Sequence, residues 1–353
     1  MVEIEPGDRR WLAFVDAHPE RLVYHHPAWL QALEQGYGGR MAALACEDGA
    51  GALHGLLPCV SRRGLLSGRR LVSLPYTPVA GPLVADESAL VALLKRAREK
   101  ATGTRGRLLE IRSTAPRLAE FDGGLAQVPW SETYVRELPD RDEELRFGAS
   151  RNHGRLKWAV NKAQKRGVRV REAESPDDLR AWYRLYLDTL RGHGVPPRPY
   201  AFFQAAWDLL RPLGVMRLEL AELPGQGGGR LLAGSVFLSY GDTTSYAFNG
   251  RRKEDLALRP NDLIQWHALH EAWRAGVRWF DFGEVERGQP GLADFKAKWG
   301  AEPRVVFRYY SSPQEEQGSN RGRDVVKRAA THVWRRLPLA LTPRVGSWLY
   351  RRL

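Results

Sequence analysis

The sequence predicts an α/β protein of two similar domains in tandem, each with a mixed central sheet, followed by a basic helical tail. Three observations predict it. The chain has 353 residues, room for two domains of about 100–200 residues each. Short strand-like apolar runs alternate with amphipathic stretches of helical period. The two halves also run in a similar order (helices, a hairpin of strands, a helix, a strand, a final strand), a structural duplication without a residue-level repeat. The expected division is 1–143 and 144–312, with the tail over 313–353.

The elements follow in order. A helix near Arg9–Ala17 precedes a second near Pro27–Gln35, which carries Trp29, Leu30 and Leu33. Met41–Cys46 and Gly55–Val60 read as strands around a Gly/Asp/Ala turn. Arg69–Leu74 and Gly81–Val84 are joined by Pro75-Tyr76-Thr77-Pro78. An amphipathic helix over Ser88–Ala101 leads to strands at Leu108–Arg112 and Glu132–Leu138. In the second half, a basic helix over Arg151–Arg166 is stopped by Gly167. Val168–Glu172 is a strand. Ser175 caps the next helix, with Pro176 at its first position and an acid at its third. A Gly/Pro break over Gly192–Pro199 precedes a helix at Tyr200–Leu210. Strands follow at Met216–Leu223, Leu231–Tyr240 and Thr243–Phe248. Asn261 is the expected cap of a helix over Asp262–Ala275, which Gly276 ends. Val277–Phe282 and Arg304–Tyr310 complete the strands.

Charge singles out one stretch. From Arg146 to Arg171 there are nine Lys/Arg and no acid. On a helix, Arg151, Arg155, Lys162, Lys165 and Arg166 fall within about 100° of one another, beside an apolar face of Leu156, Ala159, Val160 and Ala163. Such a stripe invites a polyanion or a phosphate, and Trp158 inside it offers a ring for stacking. The alternative is a solvated charged helix. The whole chain carries a net charge of +13, which fits nucleic acid, an anionic lipid surface or a phosphorylated substrate without choosing among them.

Several classes recede. Cys46 and Cys59 form no disulfide framework and read as free core thiols. The acidic N-terminus has no apolar signal core, and no run of 18 apolar residues exists, so cytoplasmic location is the expectation. The nine His show no metal-ligand spacing, and neither a Gly-x-Ser-x-Gly elbow nor a Walker loop is present. No cofactor and no metal are expected. Past Asn320 the tail is rich in Lys and Arg, with Asp324 its one acid. It reads either as an amphipathic helix lying on an anionic membrane at the inner face or as a helix docked on the N-terminal domain.

Chemistry concentrates in Trp279-Phe280-Asp281-Phe282-Gly283-Glu284 and in Gly291-Leu292-Ala293-Asp294-Phe295-Lys296-Ala297-Lys298-Trp299-Gly300. Asp281 ends an aromatic strand, and Gly283 permits a sharp exit into a loop region. Lys296 lies in a short turn flanked by Phe295 and Trp299. An ammonium partly desolvated by rings stabilises a phosphate or an oxyanion more strongly than an exposed one. The alternative is one more surface lysine.

Four stretches together resemble the Fem family of peptidoglycan interpeptide-bridge aminoacyltransferases, built from two tandem acetyltransferase-like (GNAT) domains. They are His26-Pro27-Ala28-Trp29; Leu71-Val72-Ser73-Leu74-Pro75-Tyr76 with Gly81-Pro82; Arg259-Pro260-Asn261-Asp262-Leu263 with Phe280-Asp281-Phe282-Gly283; and Gly291-Leu292 through Phe295-Lys296 to Trp299-Gly300. The resemblance covers about residues 10–310. It implies two tandem GNAT-like domains and transfer of an amino acid from aminoacyl-tRNA to an amine of a UDP-linked or lipid-linked muramyl peptide. It maps the family lysine onto Lys296 and a phosphate-binding arginine onto Arg151 or Arg155. With these, the expected site has Lys296 and Asp281 as catalytic residues, Asp281 or Glu284 orienting the amine with no strong general base identifiable, and Arg151, Arg155, Tyr76, Asn249 and Trp299 as substrate-binding residues. One departure matters. A CoA-using acetyltransferase holds the pyrophosphate with a Gly-rich loop before a helix, and Leu258-Arg259-Pro260-Asn261-Asp262 has no glycine. Two other readings stand beside this one. The first is an N-acyltransferase using acyl-CoA or acyl carrier protein in polysaccharide or lipid biosynthesis. The second is a non-enzymatic basic protein binding RNA or a membrane surface.

Overall fold

The computed structural model of the chain describes residues 1–64, 68–102, 108–141, 143–225, 229–311, 334 and 337–352. These form two compact units. One is Met1–Ser131 with Val305–Ala330 and Ser347–Leu353, and the other is Glu132–Arg304 with Thr331–Gly346. The division thus falls at 131/132, against the expected 143/144, and the last strand leaves the second unit for the first. Most of the expected tail, including 320–333, lies outside the described residues.

The N-terminal unit begins with β1 (Val2–Ile4), α1 (Arg9–Ala17) and α2 (Pro27–Tyr37). Asp8 caps α1 and the His26 ring caps α2, each accepting from a first-turn backbone N–H. Next come β2 (Ala43–Glu47), β3 (Leu53–Pro58), β4 (Val60–Gly64), β5 (Gly68–Val72), β6 (Leu83–Val84), α3 (Glu87–Thr102), β7 (Leu108–Ser113) and α4 (Leu118–Phe121). β8 (Ala126–Glu137) and β14 (Glu302–Tyr310) carry the chain between the units. One sheet runs β1-β2-β3-β6, and β4, β5, β7 and β14 are successive neighbours in a second. The parallel pair β5–β7 joins Arg70↔Leu108, Leu71↔Leu109 and Val72↔Glu110. Because strand side chains alternate, Leu71, Leu109, Ile111 and Tyr309 share the face that packs on Leu90, Leu93, Leu94, Ala97 and Ala101 of α3. That α3 spacing of three and four is the stripe that buries a helix against a sheet.

The C-terminal unit opens with a 3-10 turn at Ser150–Asn152 and α5 (His153–Lys165). Arg151 therefore lies in the turn before the helix, while Gly167 follows at a φ of 80°, as the stop requires. After β9 (Arg169–Glu172), α6 (Pro176–His193) carries the expected Ser175–Asp178 capping box and ends at a left-handed Gly194. α7 (Tyr200–Leu210), β10 (Met216–Leu223), β11 (Arg230–Tyr240), β12 (Thr243–Arg251), α8 (Pro260–Arg274), β13 (Trp279–Glu286) and α9 (Pro290–Ala297) follow. The strands run β13-β12-β11-β10-β9. The β12–β13 pair is parallel, joining Thr243↔Trp279, Thr244↔Phe280 and Ser245↔Asp281. Asn261 does not cap α8. Arg259 holds the cap position at a φ of 60°, and Pro260 supplies the first helical residue. Last, α10 (Thr342–Arg352) packs Gly346 onto Pro197 of this unit.

Candidate active site

β13 and α9 build the centre of the site. Lys296 sits in the last turn of α9, a helix rather than the expected bare turn, and is 4% exposed. Its ammonium donates to the carbonyls of Gly283 (2.7 Å) and Glu284 (3.0 Å). Burial lowers its pKa to about 8, against the opposing pull of Asp281 and Glu284. Asp281 is the last residue of the parallel pairing. One of its carboxylate oxygens accepts from the Thr133 hydroxyl (2.6 Å) and from Gly283 N–H (2.7 Å). Burial pushes the Asp281 carboxyl up. Gly283, at a φ of 82°, is thus gripped by Asp281 through its N–H and by Lys296 through its carbonyl. A Cβ there would stand 3.2 Å from Tyr246 O and 3.7 Å from the Lys296 ammonium. The dihedral calls for glycine, and the close approach of the Tyr246 carbonyl adds to that preference.

Asn249 lies on β12 beyond the parallel pairing. Its amide donates to Ser235 Oγ (3.1 Å) and Asn261 Oδ1 (3.2 Å), tying β11 and β12 to the first turn of α8. Asp262 in the same turn accepts from Lys298 (2.8 Å), two residues past Lys296. Asn249 therefore belongs to the frame that fixes the start of α8. Further along α8, Gln265 is 1% exposed, and its Oε1 has no hydrogen-bond partner among the described residues.

Trp299 departs from its expected role. It is fully buried and stacks on Phe282 at 6.5 Å. Its ring thus packs in the core against β13 rather than at the surface. Its carbonyl accepts from buried Arg136 (3.0 Å), whose other arm reaches the Arg146 carbonyl (2.8 Å). Burial lowers the Arg136 pKa to about 10. This guanidinium bolts the segment before α5 onto the turn after Lys296, and a lone arginine in strand β8 gave no sequence signal for that role. Gly148 completes the fit, since a Cβ there would lie 2.2 Å from the Lys298 carbonyl. The start of the basic helix is thereby fixed beside the end of α9. Arg151 and Arg155 are exposed on it, as are Lys157, Lys165 and Arg166.

Tyr76 belongs to the N-terminal unit. It occupies a strained loop, with Leu74 at a φ of 118° and Tyr76 at 62°. Such strain in residues other than glycine marks functional or tightly braced loops. Its ring packs on Tyr37 (4.4 Å) and Tyr350 (5.2 Å), and its hydroxyl donates to the Tyr350 carbonyl while Arg62 donates to it. Lys296, Asp281, Asn249, Arg151 and Arg155 are thus assembled in one unit, and Tyr76 is held in the other by the end of α10.

Residues 150–297 match the family model of the acetyltransferase (GNAT) domain. Over 159 residues the chain is 25% identical to the UDP-N-acetylmuramoylpentapeptide-lysine N(6)-alanyltransferase of Weissella viridescens, a match spanning 43% of this chain and 42% of that protein. The chain therefore spans less than half the length of this curated relative. Its fold is similar to that of FemX (TM-score 0.67, 17% identity, 93% of this chain and 100% of that one). It is also similar to the C-terminal domain of a putative lysylphosphatidylglycerol synthetase from Agrobacterium fabrum (TM-score 0.57, 15% identity, 87% and 92%). A tandem GNAT protein from the clavulanic acid biosynthesis pathway matches as well (TM-score 0.51, 14% identity, 88% and 98%). The tandem GNAT fold expected from the sequence is borne out, and so is the likeness to Fem-type proteins.

Proposed function

We propose that this Fem-like tandem GNAT chain is an aminoacyltransferase that moves an amino acid from aminoacyl-tRNA to an amine of a UDP-linked or lipid-linked muramyl peptide, forming an interpeptide bridge. The observation that carries the reading is the buried Lys296 ammonium, held by two carbonyls beside Asp281. An ammonium has three donors. Two are bound to Gly283 and Glu284, and the third is left for the reacting oxygen.

In the reaction the acceptor amine attacks the ester carbonyl, and the carbonyl electron pair moves onto oxygen. The Lys296 donor stabilises that oxyanion in a site where burial strengthens the interaction. The tetrahedral species collapses by expelling the ribose oxygen, which takes a proton as the ammonium of the new amide loses one. Asp281, with one oxygen occupied by Thr133 and Gly283, offers its other oxygen to orient the amine. Positioning of the two substrates supplies several kcal/mol more.

The start of α8 favours an aminoacyl donor over acyl-CoA. Pro260 contributes no N–H to the first turn, and Arg259 replaces the glycine that lets a phosphate approach the backbone. Among the described residues no helix is long and apolar enough to cross a membrane. We place the enzyme at the cytoplasmic side, where charged tRNA and the precursors are made, with the basic tail as its contact to an anionic membrane.

The test is a transfer assay with a pool of charged tRNAs and both muramyl-peptide forms, run beside acetyl-CoA and acyl carrier protein donors. Transfer from tRNA to an acceptor amine is expected. Transfer only from the thioesters would replace this reading with that of an N-acyltransferase.

A further inference from the structure

Trp158 is the large side chain that the site leaves unused. It lies on α5 and is 53% exposed. Two cations flank its ring: the Lys162 ammonium 5.0 Å from the centroid and the Arg259 guanidinium at 5.6 Å. Both fall within the roughly 6 Å at which a cation is held over an aromatic face. Lys162 is one turn along the same helix, whereas Arg259 comes from the start of α8, where it holds a left-handed backbone. That strained residue brings its side chain to the ring across the packing of α5 on α8. The arrangement is an exposed aromatic ring with a cation held over it from each of two helices, on a helix that has no acid, so a base stacking here takes the place of one cation over the ring and leaves the other to a phosphate.

This surface is continuous with the catalytic frame through α8. Arg259 and Asp262 share its first turn, and Asp262 binds Lys298, two residues past Lys296. Arg155, Lys157 and Lys165 on α5, Arg151 in the turn before it and Arg166 at its end are all exposed. α5 has 13 residues, which makes it about 20 Å long. A diphosphate engages two or three cations at one point. A row of this length matches a run of phosphates, and a ring exposed within the row matches a base that is not paired.

Resting on the aminoacyl-tRNA reading above, we infer that Trp158, with Lys162 and Arg259, is a stacking subsite for the unpaired 3′-terminal nucleotides of the RNA donor, and that the exposed face of α5 tracks the phosphates behind them. Base stacking on an aromatic side chain is worth about 1–3 kcal/mol and tolerates any base, so the subsite serves the common 3′ end shared by all tRNAs. Selection of the amino acid is left to the centre around Lys296.

The probes are a short RNA hairpin with an unpaired 3′ ACCA tail, the same stem cut blunt, and UDP. Each is titrated against the full chain in wild-type, Trp158→Ala and Trp158→Phe forms. The tailed hairpin is expected to bind the wild type more tightly than the blunt one. Trp158→Ala should weaken the tailed hairpin by about tenfold, leave the blunt hairpin and UDP unchanged, and be largely repaired by Trp158→Phe. An equal loss on both hairpins, a loss confined to UDP, or no binding of the tailed hairpin by the wild type overturns the inference. Transfer from charged tRNA by the same proteins separates it from the parent reading. Transfer with an unchanged KM for tRNA in Trp158→Ala removes the subsite and keeps the enzyme. Tail binding that depends on Trp158, in a protein that transfers nothing, removes the enzyme and keeps the subsite.

Discussion

In the N-terminal unit the parallel pair β5–β7 ends at Val72↔Glu110, and in the C-terminal unit the pair β12–β13 ends at Ser245↔Asp281. Both second strands finish their parallel pairing on a carboxylate, and the surroundings differ completely. Glu110, 3% exposed, meets Arg112 at 2.9 Å and Arg70 and Arg308 at 3.3 Å each. Burial acts to raise its carboxyl, but Arg112, Arg308 and Arg70 outweigh it and hold the pKa down to about 2. The Arg308 guanidinium is further stacked 3.5 Å over Trp130. Among the described residues Asp281 has no ion pair, and Lys296 and Arg304 only weakly oppose the effect of its burial. Asp281 receives a hydroxyl and a backbone N–H, and its carboxyl is pushed up by burial. The duplicated substructure thus yields one locked carboxylate and one that keeps proton-binding capacity near a poised amine. Perturbed groups of that kind are concentrated at chemical sites, and ion-pair networks such as the one around Glu110 perturb pKa values as well.

The comparison predicts a large effect on folding in one unit and on rate in the other. Glu110→Gln leaves the neighbouring guanidiniums without their anion and is expected to cost about 3–5 kcal/mol of stability, the range for breaking a buried pair from one side. Denaturant unfolding measures it. Asp281→Asn, which retains an acceptor for Thr133 and Gly283, should cost under about 1 kcal/mol in the same experiment. Equal costs would erase the distinction between the two carboxylates.

Lys296→Met sharpens the contrast on the kinetic side. A drop in single-turnover transfer of about 10²–10³-fold is expected, the usual effect of deleting one oxyanion donor. The melting temperature should not fall, because the change removes a buried charge and keeps the shape of the chain. A normal rate in a folded Lys296→Met protein would assign the oxyanion to another group.

Titration separates the units again. Glu110 has a folded pKa below its ordinary value of 4.5. Its contribution to stability is present above that value and is lost as pH falls toward about 2. Lys296 has a folded pKa lowered from 10.5 to about 8. Its ammonium costs stability below pH 8, and that cost is relieved between pH 8 and 10.5, where the unfolded lysine still holds a proton that the folded one has released. The transfer rate should fall through pH 8 as the donor is lost. Rate and Lys296-linked stability therefore move in opposite directions above pH 8, which pH-rate profiles and melting curves of the wild type and Lys296→Met would show.

The smallest expected effects lie on the basic helix. Arg151→Ala and Arg155→Ala should each reduce the slope of log affinity for tRNA against log salt by about 1, with no change in folding. Unchanged slopes would leave both side chains as solvated charge only.

Much of this architecture is written locally. α1, α7 and β10 begin and end at the residues their periodicity marks. The Ser175–Asp178 capping box is legible because all of its parts lie within four residues. The Glu110 cluster is not, since its arginines come from β5, β7 and β14, and nothing between positions 110 and 308 records that two strands will lie side by side. Ring and lysine are neighbours in sequence, which is why Trp299 reads as part of the same site. The helical turn of α9 separates them, directing the ring under Phe282 and the ammonium to Gly283. The expectation that Asn261 caps α8 rests on the preference for Asn at that position, which is overridden where the chain enters the helix one residue earlier, through Pro260. Here Arg259 takes the cap position and Asn261 is spent on Asn249.

The contact that closes over Tyr76 has a consequence for how this protein varies among organisms. The Tyr76 hydroxyl and Arg62 are both bound to the carbonyl oxygen of Tyr350, not to its side chain. Main-chain atoms are the same in every residue, so substitution at 350 can change the ring and leave the polar contact standing. An alignment of related sequences would show drift at 350 and hide an interaction that persists through it. Deletions or register shifts in α10, which move the backbone itself, are the changes that would record its importance.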